Sequence, residues 1–242
     1  MTTTTSLASV DVDVRRPELG YGDLDALMSL MTGDEKHGPS ATSTLDVLWV
    51  LYDRVLNVTP DTVDDPGRDR FQLSKGHGPM AYYAVLAVKG FIPVDWLATF
   101  GRYDSPLGHH PDRVLVPGVE ISSGSLGHGL PLGVGTALGL RAQGLGSRVV
   151  VLVGDAEYDE GSNAEAVAYA GAIGLDNLTV VVVDNSSSTH GWSDGIERRF
   201  AVEGWEAVRV DGRDHAEVTL ALRGHPEGRP SVVVAHVENK EG

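Results

Sequence analysis

Two stretches decide the fold: Arg148-Val-Val-Val-Leu-Val-Gly-Asp155 and Leu178-Thr-Val-Val-Val-Val-Asp-Asn185. Each is short, β-branched and uninterrupted, as expected of a strand buried on both faces of a parallel sheet. Between them, Gly161 to Gly174 is alanine-rich and has helix-forming character. The spacing predicts a strand–helix–strand unit with Asp155 and Asn185 just past the carboxyl ends of their strands. Ligands of open α/β sheets bind at that edge. A carboxylate and an amide oxygen side by side there suit a hard cation such as Mg²⁺, which takes oxygen ligands and commonly also binds substrate phosphates.

Outward from this unit the chain keeps alternating. Leu24 to Met31, Leu45 to Tyr52, Pro79 to Lys89, Leu126 to Gln143 and Asp214 to Leu222 read as helices, and Trp205 to Val210 and Ser231 to His236 as further strands. Asp61 to Asp69 and Arg102 to Gly118 are loops broken by prolines and glycines. The expected fold class is α/β, a doubly wound, mostly parallel sheet flanked by helices. Residues 1–18, polar and Thr-rich at the start, read as a flexible tail, and residues 19–242 as one domain.

Composition narrows the function. A formal charge of −15 argues against nucleic acid, whose phosphate backbone needs a basic surface. The chain has no cysteine, so neither a disulfide framework nor thiolate chemistry is available. No apolar run is long enough to span a bilayer, and Met1-Thr-Thr-Thr-Thr-Ser lacks the basic and apolar regions of a signal peptide. The expectation is a cytoplasmic protein without a membrane partner. Thirty glycines, many clustered in a few segments, point to backbone packed close against something.

Those segments carry the candidate chemistry. In Gly154-Asp155-Ala156-Glu157 the plain reading is a turn with Asp155 capping the next helix. Asn185 at the end of the neighbouring strand strengthens the metal reading, and a helix N-terminus aimed at the same spot would favour a diphosphate. A main-chain carbonyl from Asn185-Ser186-Ser187 could add a ligand. Leu73-Ser-Lys-Gly-His-Gly78 presents His77 between glycines; His37, in Lys36-His37-Gly38-Pro39-Ser40, and His110, in Gly108-His-His-Pro111, occupy similar loops. Histidines in three such loops are unusual for a purely structural purpose, and no cysteine or His-x-x-x-His helix supports zinc. Ser122-Ser-Gly-Ser-Leu-Gly-His-Gly129 matches neither a P-loop nor a dinucleotide fingerprint. Glu160 and Glu165 are also explained simply as acidic residues near a helix start.

In this order the segments resemble the amino-terminal half of a transketolase: the His37 loop, Leu73-Ser-Lys-Gly-His-Gly78, Gly108-His-His-Pro-Asp112, Pro117-Gly-Val-Glu-Ile-Ser-Ser-Gly-Ser-Leu-Gly-His-Gly129, Gly154-Asp155, Asp184-Asn185 and Asp211-Gly-Arg-Asp214. The resemblance covers roughly residues 20 to 236. Dehydrogenase E1 subunits and 1-deoxyxylulose 5-phosphate synthase share the Gly-Asp and Asn signature, but the Leu-Ser-Lys-Gly-His-Gly and Gly-Ser-Leu-Gly segments favour transketolase.

The resemblance implies a thiamine diphosphate-binding fold of the diphosphate type, with thiamine diphosphate and Mg²⁺ as cofactors. It makes Asp155, Asn185 and the Ser187 carbonyl the metal ligands. It places the backbones of Gly124 and Leu126 at the pyrimidine, and His77, Ser125, Gly154, Asp155, Ala156, Glu157 and Asn185 around the cofactor. His37, His77 and His110 fall where the family handles substrate hydroxyls and the diphosphate. Glu160 and Glu165 match glutamates at the family's dimer interface. The catalytic candidates are thus His37, His77, His110 and Glu160.

A full transketolase continues with a pyrimidine-binding domain, so the resemblance is to the small subunit of a split enzyme. A C-terminal transketolase-like subunit is the expected partner, in an α2β2 assembly. The implied reaction moves a two-carbon ketol unit from a ketose-like donor to an aldehyde acceptor. The alternatives are a subunit that decarboxylates a 2-oxo acid or forms an acyloin, and a non-catalytic stabilising subunit. Several positions depart from the family: Ala156 for glycine, Gly127-His128-Gly129 for Gly-Gln-Gly, Lys36 for glycine, and His190 for aspartate. The glycine-rich segment expected after Ala235-His236-Val237 is replaced by Glu238-Asn-Lys-Glu-Gly242. Together they imply an altered substrate site and a specialised pathway.

Overall fold

Every residue of Val149–Gly154 (β2) and Leu178–Asp184 (β3) is buried, as their valine-rich interiors require. A computed structural model describes residues 19–32, 38–189 and 194–238; the expected tail over residues 1–18, His37 and His190 lie outside the described residues. β2 and β3 pair in parallel with Gly154 opposite Val183, so Asp155 and Asn185 leave the sheet on adjacent strands. Arg70–Leu73 (β1), Glu206–Asp211 (β4) and Ser231–His236 (β5) complete a five-stranded sheet of order β1-β2-β3-β5-β4, parallel throughout.

Helices cover both faces: Leu24–Ser29 (α1), Gly38–Val50 (α2), Met80–Val88 (α3), Gly129–Ala142 (α4), Gly161–Ala172 (α5), Ile196–Val202 (α6) and His215–Arg223 (α7). Alternation along the strands sorts the core into two layers. Val150, Leu152, Val181 and Val183 pack with residues of α1, α2, α3 and α7, such as Leu48, Tyr83 and Leu222. Val149, Val151, Val153, Val180 and Val182 pack with α4, α5 and α6 through Leu130, Ala166 and Phe200. The doubly wound parallel sheet expected from the sequence is the fold observed.

Two elements were not expected. β1 is a strand although it reads Arg-Phe-Gln-Leu, because its polar side chains find partners only in the folded chain. The Arg70 guanidinium donates to the Arg68 and Pro66 carbonyls, and the Gln72 amide donates to the Thr136 hydroxyl on α4 at 2.9 Å. α6 is short and charged, held by buried Ile196 and Phe200 one turn apart.

Boundaries also move. α2 starts at Gly38, well before Leu45, and α4 starts at Gly129 rather than Leu126. Asp214 is the N-cap of α7, its carboxylate accepting from the Ala216 amide at 2.8 Å and the Glu217 amide at 3.1 Å.

Candidate active site

Past the carboxyl ends of β2 and β3 lies a cleft of ≈ 500 Å³. It is lined by Gly154, Asp155, Ala156 and Glu157 after β2, by Asn185 and Ser187 after β3, by Lys75, Gly76 and His77 after β1, and by Leu126 before α4. Pro39 and Ser40, in the first turn of α2, close it. Most of the residues expected around the cofactor therefore meet in one place.

Asp155 is 1 % exposed and Asn185 8 %. The Asp155 carboxylate does not cap a helix. Its Oδ2 accepts from the Ser187 amide at 2.6 Å and the Ser188 amide at 2.9 Å, while its Oδ1 accepts the Ser187 hydroxyl, at 2.7 Å. A hydroxyl can rotate away, whereas the two amides are fixed by the turn, in which Ser186 takes a left-handed φ of 58°. Oδ1, the Asn185 side chain and the carbonyls of this turn make an oxygen donor set of the kind a hard cation takes. Ser187 meets Asp155 through its amide and hydroxyl, both donors. Ala156 sits at φ −67° and ψ −35°, a right-handed conformation that alanine adopts without strain.

His77 is exposed at the mouth of the cleft, with its ring centroid 6.1 Å from that of His110. His110 is exposed, and the loop that carries it is held at three points. The His110 Nδ1 lies 2.8 Å from the Gly76 carbonyl, which can only accept, so Nδ1 carries a proton and Nε2 is the ring atom left to exchange one with a substrate. The Tyr83 hydroxyl donates to the Gly108 carbonyl, and the Ser123 amide donates to the Pro111 carbonyl at 3.1 Å. Gly124, at φ 122°, lies flat against the His110 ring; a Cβ there would come within 3.0 Å of two ring atoms.

Glu157 is 3 % exposed and its carboxyl turns inward, to the Ser74 hydroxyl and the Gly127 and Gly154 amides. Burial pushes its pKa up, and these hydrogen bonds only partly counter that. Glu160, the residue before α5, is exposed and packs its Cβ against Gly127; Glu165 is exposed on α5. Ser125 is exposed in the turn before Gly129.

Lys75 is a site residue that the sequence alone does not single out. Its ammonium donates to the Ser40 carbonyl at 3.0 Å and the Ser43 hydroxyl at 2.9 Å, and its stem crosses over Gly154 inside the cleft. A lysine at the second position before His77 was the available signal.

Residues 24–237 match the family described as "Transketolase, thiamine diphosphate binding domain". The chain belongs to the transketolase family, through that domain. It is 56% identical over 221 residues to a protein of Rhodococcoides fascians named "Ferredoxin fas2", covering 91% of this chain and 73% of that one. The name does not carry over, since these 242 residues hold no cysteine to ligate an iron–sulfur cluster. A protein of Actinobacillus succinogenes, named as one of the subunits of an apulose-4-phosphate transketolase, is 38% identical over 213 residues, covering 85% of this chain and 77% of that one. Among solved structures, transketolase from Leishmania mexicana superposes with a TM-score of 0.74 at 23% identity, over 90% of this chain and 36% of that one, a likeness of fold. Among the described residues no helix is long and apolar enough to cross a membrane.

Proposed function

We propose that this chain is the diphosphate-binding subunit of a split transketolase-type enzyme. In this reading residues 19–242 form one domain, and the cleft past β2 and β3 takes thiamine diphosphate and Mg²⁺. The observation that carries the reading is the convergence of Asp155, Asn185, Ser187, His77 and Leu126 on that cleft. Asp155 Oδ1, the Asn185 amide oxygen and the Ser187 carbonyl would hold the cation, once the Ser187 hydroxyl swings aside. Gly154, Ala156 and His77 would face the diphosphate and the backbones of Gly124 and Leu126 the pyrimidine, with Ser125 between those two along the cofactor. When bound, the cofactor supplies the electron sink for carbon–carbon bond cleavage.

The chain's own residues then position and move protons. His110, with Nδ1–H held by the Gly76 carbonyl, can take a proton from a substrate hydroxyl on Nε2 and return it. His77, one ring away, is the second acid–base candidate, with His37 and Glu160 as further ones. The apulose relative is named as one subunit of its enzyme, which supports a separate C-terminal partner here too. That partner would bring the pyrimidine-binding domain, in an α2β2 assembly that buries the exposed Glu160 and Glu165. The substrates would be small and sugar-like, a ketose-like donor of a two-carbon ketol unit and an aldehyde acceptor.

Calorimetric titration of thiamine diphosphate into this chain, with and without Mg²⁺, alone and with the partner, tests the proposal. Metal-dependent binding that is completed by the partner is the expected result. Absence of binding in every combination would leave the fold without its chemistry. Release of carbon dioxide from a 2-oxo acid donor would instead favour the decarboxylating alternative.

A further inference from the structure

The Glu157 carboxyl is the meeting point of three backbone segments that border the cleft. Its Oε1 accepts from the Ser74 hydroxyl at 2.5 Å and from the Gly127 amide at 3.1 Å, and its Oε2 accepts from the Gly154 amide at 3.3 Å. The Ser74 oxygen in turn accepts the Gly129 amide at 3.0 Å. Ser74 lies so close to the start of α4 that any side chain at position 129 would strike it. The Glu157 backbone is itself anchored, its carbonyl accepting from the Asn163 amide side chain at 2.7 Å. A carboxyl this deeply buried is costly unless its oxygens are hydrogen-bonded, and here both are.

We infer that Glu157 is a positioning residue, a brace that fixes the turn carrying Leu126 to the Gly154–Asp155 turn from beneath the cleft. The inference rests on the thiamine diphosphate reading and deepens it. One end of the brace holds the wall proposed for the pyrimidine, the other the floor proposed for diphosphate and metal. Glu157 acts by setting the distance between the two, rather than as a ligand of the cofactor. Both oxygens must accept, so an amide of the same shape cannot replace the carboxyl. With the oxygen of a glutamine amide accepting at one end, its nitrogen would point donors at a donor at the other.

The test uses Glu157→Gln and, because a buried change can compromise folding, Ser74→Ala as a second variant. Hydrogen exchange on the full chain comes first. In Glu157→Gln the Gly154 amide and the Gly127 and Gly129 amides should exchange together, faster by about tenfold or more, the effect of losing hydrogen bonds to a charged group. In Ser74→Ala the change should be confined to Gly127 and Gly129, with Gly154 unaltered. Unchanged exchange at these three amides, or uniform acceleration over the whole chain in both variants, overturns the brace.

Binding of Mg²⁺-pyrophosphate and of thiamine diphosphate to the chain with its partner supplies the second readout. The advantage of thiamine diphosphate over pyrophosphate should fall by about tenfold in Glu157→Gln. An equal change for both probes would mean that Glu157 acts on the diphosphate directly, and the inference fails. If the unmodified protein binds neither probe, the functional reading fails, while the exchange pattern still decides the brace.

Discussion

Asp155 presents its two oxygens unequally to Ser187: Oδ2 is taken by the Ser187 amide at 2.6 Å, and Oδ1 by the Ser187 hydroxyl at 2.7 Å. The amide bond orients the carboxylate, and the hydroxyl bond is the one a cation can displace. Two substitutions therefore separate. Asp155→Ala should abolish Mg²⁺-dependent binding of thiamine diphosphate, a loss of about a hundredfold or more. Ser187→Ala, which leaves the amides in place, should weaken it by no more than about threefold, because the hydroxyl bond it removes is one that the bound cation displaces. Calorimetry with Mg²⁺ reads both, and equal losses would remove the distinction.

Ala156 occupies the position where the family has glycine, yet its φ of −67° is one that alanine prefers. The methyl group is thus compatible with the turn. Ala156→Gly should leave cofactor affinity within about threefold and lower stability by about 0.5–1 kcal/mol, through the greater freedom of the unfolded chain. A large gain in affinity would show that the methyl group obstructs the diphosphate after all.

The valine runs of β2 and β3 made the sheet and its loaded edge legible, because a strand buried on both faces needs no partner to be recognised. β1 was not legible: Arg70 and Gln72 break the apolar pattern, and their partners at Pro66 and Thr136 are brought to them only by the fold. The same limit applies at the site. Asp155 and Asn185 announce themselves by position at strand ends. Glu157 sits in the same turn as Asp155, but its inward bonds to Ser74 and Gly127 join residues 83 and 30 positions away. Lys75 was hidden in the same way, since Ser40 and Ser43 lie 35 and 32 residues distant.

His110 and its neighbour His109 offer an internal control. His109 turns to the ring of Phe100, with centroids 5.3 Å apart, whereas His110 is held by Gly76 beside His77. In the assembled enzyme His110→Ala should lower kcat by about 10² to 10⁴-fold, the usual cost of a proton-transfer group. His109→Ala should cost less than about threefold, the residue lacking a part in proton transfer. Comparable losses for both would mean that loop integrity, not acid–base chemistry, is being measured.

Asp46 holds together a second cluster at the carboxyl edge of the sheet. Its carboxylate accepts from the Tyr21 hydroxyl at 2.5 Å and from Arg213 at 2.6 Å, and lies 2.7 Å from His215 Nε2. These contacts tie α2 to the Asp211-Gly-Arg-Asp214 turn and to the segment before α1, which gives that motif a structural purpose. Burial alone would raise the Asp46 pKa, but the hydrogen bonds from Tyr21, Arg213 and His215 outweigh it and hold the carboxyl below its ordinary value. A depressed carboxylate stabilises the fold above its unfolded pKa and loses that contribution as pH falls through the folded value. The stabilisation should be complete at neutral pH and fade below about pH 4. Asp46→Asn should cost about 3 kcal/mol at pH 7, the low end for breaking a buried pair, because Arg213 keeps Glu238 as a partner at 2.6 Å. Urea unfolding across pH 7 to 3 checks both parts: the difference between the two proteins should shrink on acidification. A difference that stays constant with pH would show that packing, not the Asp46 charge, holds this corner.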